Sequence, residues 1–102
     1  MIKVNVKRKN KIVYEIVIKG HANYDVAGKD IVCAAVSSMA ITTINAILCL
    51  DESIDYEDNS GFIKIRVEED TDINQKLLNN LIRMLSELES QYPKNIEIRN
   101  ED

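Results

Sequence analysis

Gly20-His21-Ala22-Asn23-Tyr24-Asp25-Val26-Ala27-Gly28-Lys29-Asp30-Ile31-Val32-Cys33-Ala34-Ala35 is the stretch on which the fold turns. A run rich in β-branched residues ends in front of it, and a long uncharged run begins after Asp30. The pattern predicts a strand handing over to a helix. The stretch also holds the sole histidine, His21, and one of the two cysteines, Cys33. The partial positive charge of unpaired N–H groups at a helix start favours an anionic nucleophile. An imidazole and a helix-start thiol are together the parts of a cysteine nucleophile with its base.

Working outward towards the N-terminus, Ile12-Val13-Tyr14-Glu15-Ile16-Val17-Ile18 reads as a strand with Ile12, Tyr14, Ile16 and Ile18 on the core face. Gly20 frees the backbone to leave that strand and delivers His21 at its exit. Ile2, Val4 and Val6 alternate with Lys3, Asn5 and Lys7, the period of a half-buried strand. Arg8-Lys9-Asn10-Lys11 is a polar hairpin connection that lacks the glycine of a tight primed turn.

Working outward towards the C-terminus, residues 22–29 read as a loop and Asp30 as an N-cap or first-turn acid. Ile31 to Leu50 is uncharged for twenty residues, the length of a membrane span. Ser37, Ser38, Thr42, Thr43 and Asn45 argue against that reading, as do acids at both ends. A helix apolar over most of its circumference is instead expected to be buried on two sides, one against the sheet and one against a helix or second subunit. Cys49, near its far end, reads as a small buried residue.

Asp51-Glu52-Ser53 closes the helix, and Ile54–Glu57 with Phe62–Val67 form a hairpin about Asp58-Asn59-Ser60-Gly61. The acidic run Glu68–Asp72 reads as the start of a second helix. Its stripe is Ile73, Leu77, Leu81, Met84, Leu85, Leu88 and Tyr92, and Pro93 stops it. Lys94–Arg99 is a last strand. The fold class is therefore α+β, in the order strand, strand, helix, strand, strand, helix, strand, with helices on one face of a mainly antiparallel sheet.

The 102 residues fit one domain, and 45% apolar with 29% charged residues suits a folded chain. The formal charge of −4 argues against direct nucleic-acid binding. No secretory signal is read in Met1–Lys7, so the default compartment is the cytoplasm, where cysteines stay reduced. On one helix Cys33 and Cys49 stand about 24 Å apart, beyond disulfide reach. One histidine and two distant cysteines do not make a closed zinc site, and no metal or cofactor is expected.

Gly20-His21-Ala22, then Gly28-Lys29-Asp30-Ile31-Val32-Cys33-Ala34-Ala35-Val36-Ser37 and, in the same helix, Asn45-Ala46-Ile47 resemble the ribosomal-processing cysteine protease family, Prp. The twelve-residue step from His21 to Cys33 and the element order fit as well, over 1–102 as one such domain. The resemblance implies a bacterial cytoplasmic homodimer that removes the N-terminal extension of large-subunit ribosomal protein number twenty-seven. It makes Cys33 the nucleophile and His21 the general base and acid. Asp30 and Ser37 are candidate supporting residues: Asp30 orients an active-site group or caps the helix, and Ser37 bonds near Cys33 or satisfies backbone. The substrate loop would be Ala22, Asn23, Tyr24, Asp25, Val26, Ala27, Gly28 and Lys29. Asp25-Val26-Ala27 departs from the family, whose members commonly carry an aromatic residue just before that glycine. Cleavage after an aromatic residue implies an apolar pocket beside the dyad. The alternatives are a non-catalytic dimeric module that binds ribosomal protein or the ribosome, and a different hydrolase using the same dyad, such as a thioesterase.

Overall fold

A computed structural model describes residues 1–20 and 27–101, with side chains for 1–20 and 31–101. Its elements are β1 (Ile2–Lys9), β2 (Ile12–Lys19), α1 (Ala27–Leu50), β3 (Ile54–Asn59), β4 (Phe62–Val67), α2 (Asp72–Gln91) and β5 (Ile96–Glu101). The sheet order is β3-β4-β2-β1-β5, with β5 parallel to β1 and the other three pairings antiparallel. Both helices are crossovers, since β2–α1–β3 and β4–α2–β5 each join strands that run the same way. The expected α+β class and element order hold.

Register puts the apolar side chains in rows across the sheet. Val4, Ile18 and Ile63 form one row, and Val6, Ile16 and Ile65 the next. All six are buried, in one cluster with Val32, Val36, Ala40, Ile44 and Ile47 of α1 and Leu78, Leu81, Leu85 and Leu88 of α2. Side chains alternate faces along a strand, so a row of this kind commits one face to the helices and leaves Lys3, Lys7, Glu15, Lys64 and Arg66 on the other. There Glu15 is paired with Lys7 at 3.2 Å and Lys64 at 3.7 Å.

Tyr14 departs from expectation. It is 43% exposed, while its neighbour Val13 is fully buried. Between the pairs Lys7↔Glu15 and Arg8↔Val13 the register shifts, so one extra residue sits in β2 and the alternation changes phase. The Gln75 side chain on α2 secures this irregular backbone. It accepts from Val13 N–H at 2.9 Å and donates to the Val13 carbonyl at 2.8 Å. The turn before it also differs: Asn10 (φ 52°) and Lys11 (φ 70°) make a two-residue primed turn without glycine.

Within one chain α1 is buried along one stripe. Val32, Val36, Ala40, Ile44 and Ile47 face the core, while Ile31 (57%) and Leu50 (60%) are exposed. The helix has the length and hydropathy of a membrane span, yet its stripe belongs to the core. Cys49, expected to be buried, is exposed, because it lies off that stripe near the helix end. α2 starts with Thr71 as N-cap in a capping box with Asn74. Only Asp72 of the acidic run lies in its first turn. Its buried arc is rotated from the one expected: Leu78 and Ile82 join Leu81, Leu85 and Leu88, and Ile73 is exposed.

A polar cluster joins three element ends. The Asp51 carboxylate accepts from Ser53 Oγ and Thr71 Oγ1, both at 2.5 Å. Fully buried Asn74 donates to Ser53 Oγ at 2.7 Å and to the Glu69 carbonyl at 2.8 Å. These bonds hold the end of α1, the start of β3 and the start of α2 together, and they satisfy the polar atoms that burial would otherwise strand.

Candidate active site

β2 ends, β1 begins and the β3–β4 turn closes at the same end of the sheet. Lys19 pairs with Phe62, and Gly20 N–H donates to the Gly61 carbonyl at 3.0 Å. The N-terminal half of α1 passes beside this end. Between them lies a groove of about 310 Å³, lined by Ile2, Ile18, Gly20, Cys33, Val36, Ser37 and residues 58–63.

Cys33 reaches the groove because it sits next to the buried stripe of α1, one residue after Val32. It is half-buried, packed against the core on one side and open to the groove on the other. Ser37, one helical turn further on, is exposed and lines the same groove. The helix thus brings these two expected site residues to one wall. Gly20 holds the opposite corner. Its φ is +107°, and a Cβ there would stand 2.5 Å from the Met1 carbonyl oxygen. That exit from β2 therefore requires glycine. His21, the next residue, lies outside the described residues, as do Ala22, Asn23, Tyr24, Asp25 and Val26 of the expected loop.

The helix begins earlier than the sequence pattern indicates. Ala27, Gly28 and Lys29, read as the end of the loop, are the first turn of α1, and Asp30 is its fourth residue. Asp30 is therefore within the helix and is not its N-cap. Cys33 is then in the second turn, about 9 Å along the axis from Ala27 at ~1.5 Å per residue. The macrodipole acts mainly within the first turn, so it reaches Cys33 less directly than expected. Side chains on a helix tilt towards its N-terminus, however, which leans the Cys33 side chain back over that turn.

The apolar lining that sequence reasoning left unnamed consists of Ile2, Ile18, Val36, Phe62 and Ile63. Ile2, Ile18 and Ile63 lie near strand ends on the helix-facing side and are buried, so they floor the groove with apolar side chains. The β3–β4 turn was legible as a turn. Its place beside Cys33 follows from β4 pairing with β2, which no local pattern announces.

A model of the cysteine protease Prp family matches residues 1–97. The ribosomal processing cysteine protease Prp of Staphylococcus aureus is 34% identical over 90 residues, covering 84% of this chain and 85% of the relative. A crystal structure of the S. aureus protease with a covalently linked product peptide superposes with a TM-score of 0.87 at 31% identity, over 99% of this chain and 100% of that one. The same protease with a substrate peptide gives a TM-score of 0.86 at 28% identity, with the same coverage. With the groove beside Cys33 and near-complete agreement of fold, the chain belongs to the Prp family of ribosomal processing cysteine proteases.

Proposed function

We propose that this protein is the endopeptidase that removes the N-terminal extension of large-subunit ribosomal protein number twenty-seven, with Cys33 as nucleophile and His21 as general base and acid. The observation that carries the reading is Cys33 opening onto an apolar-lined groove that also contains Gly20, the residue before His21. A groove walled by Ile2, Ile18, Phe62 and Ile63 suits an aromatic or aliphatic side chain at the cleavage site.

His21 takes the thiol proton as the Cys33 sulfur bonds to the scissile carbonyl carbon. N–H groups of the first turn of α1, towards which the thiol leans, stabilise the tetrahedral oxyanion. Its collapse breaks the C–N bond, and His21 returns the proton to the leaving amine. Water, deprotonated by His21, then adds to the thioester, and release of the sulfur frees the acid. Asp30 and Ser37 support this chemistry, and residues 22–29 contribute to holding the peptide.

The reading extends to one cytoplasmic domain over 1–102 working as a homodimer. The exposed side of α1, with Ile31, Ala34, Thr42 and Leu50, is the surface that a second copy would cover. A stable monomer by light scattering at micromolar concentration would refute the dimer.

Incubation with the extended ribosomal protein should give a product shortened by the extension, read by mass, and Cys33→Ala and His21→Ala should abolish it. Cleavage by Cys33→Ala at the wild-type rate would show that the nucleophile is misassigned.

A further inference from the structure

Among the described residues that line the groove, Asp58 is the one that carries a charge. Its position follows from register. Asp58 pairs with Ile63, so it occupies the sheet face that Val4, Ile18 and Ile63 turn towards the helices. On the edge strand this row runs out from under α1, and Asp58 is exposed at the groove wall. The other acids of β3 are matched across the ladder, Asp55 opposite Arg66 and Glu57 opposite Lys64. Asp58 faces an isoleucine instead, and no ion pair of its carboxylate is found among the described residues.

We infer that Asp58 is a specificity-determining residue, whose carboxylate at the groove wall favours a lysine or arginine side chain in the peptide beside the one that fills the apolar pocket. The inference rests on the peptidase reading above. An anion at the rim of a binding groove acts by discrimination: it attracts a basic side chain and repels an acidic one. Apolar lining alone sets no preference of charge. Because Asp58 is exposed, the effect is modest and screened by salt.

The test uses N-acetylated, C-amidated peptides spanning the cleavage junction, so that side chains supply all the charge. Each position is scanned in turn with Lys and Glu, and kcat/KM is measured at low and high salt. At one position the wild-type protein should prefer Lys to Glu by roughly three- to tenfold at low salt, and less at high salt. Asp58→Asn should reduce that ratio towards one, and Asp58→Lys should invert it. A general structural defect would lower both rates and leave the ratio standing. If the wild type cleaves the peptides with no charge preference at any position, or if the preference survives in Asp58→Asn and Asp58→Lys, the inference is wrong and the peptidase reading stands. If the wild type cleaves none of them, the peptidase reading fails and takes this inference with it.

Discussion

Replacing Gly20 with alanine probes the corner that joins the sheet to the proposed base. At φ +107° an L-residue is strained, by about 1–2 kcal/mol. The new Cβ would stand 2.5 Å from the Met1 carbonyl oxygen, inside the 3.0 Å below which real Cβ contacts essentially do not occur. Backbone has to retreat, and backbone here is pinned: Ile2 N–H donates to Asn95 at 2.9 Å and Gly20 N–H to Gly61 at 3.0 Å. Losing one of these adds about 0.5–1.5 kcal/mol. The expected total is about 1.5–3.5 kcal/mol out of roughly 5–15 for a domain of this size, so the variant folds but melts roughly 6–28 °C lower. Urea unfolding with an unchanged m-value is the assay. Ile47→Ala, a core truncation at the other end of α1, should cost about 2–5 kcal/mol and serves as a control of matched stability. Well below both transitions, Gly20→Ala should process substrate at least tenfold more slowly than Ile47→Ala, because it shifts the chain that carries His21. A loss of stability under 1 kcal/mol would refute the steric argument, and equal processing by the two variants would refute its link to the site.

Three further outcomes follow from the same structure. Hydrogen bonds from Ser53 and then Thr71 hold the Asp51 carboxyl below its ordinary value. Its contribution is therefore complete above about pH 4 and is lost as pH falls through the lowered folded value, so the urea midpoint should drop more steeply below pH 4 in wild type than in Asp51→Asn. A midpoint that falls equally in both would exclude this role. Lys11→Gly should raise stability by about 0.5–1 kcal/mol, since relief at φ 70° exceeds the added freedom of the unfolded chain; a lower thermal midpoint would contradict the primed turn. Gln75→Ala should cost about 1–3 kcal/mol and speed hydrogen exchange at the Val13 amide, whereas Gln75→Glu keeps the acceptor for that amide and should protect it better than alanine.

Much was legible in the chain because it is local. Alternation in Ile2–Lys7 and Phe62–Val67, the four-and-three spacing of α2 and the stop at Pro93 each depend on a few neighbours, and all appear in the structure. The cysteine near the start of a long apolar run and the glycine before the histidine were readable for the same reason. Misreadings arose where distant contacts outweighed local pattern. Tyr14 left the core because a bulge, held by Gln75 from another element, changed the phase of β2. Helix α1 begins at Ala27 rather than after Asp30, because Ala27-Gly28-Lys29 carries no apolar period from which a helical turn could be read. Cys49 stayed at the surface because the buried stripe turns away from it.

The sequence by itself determined which residues carry chemistry and in what order strands and helices follow, since residue type and periodicity act over one or two turns of chain. Tertiary structure alone decided what surrounds Cys33. Ile2, Ile18 and Asp58 meet at one groove only through the pairing of β2 with both β1 and β4, and strand order is a property of the folded sheet as a whole.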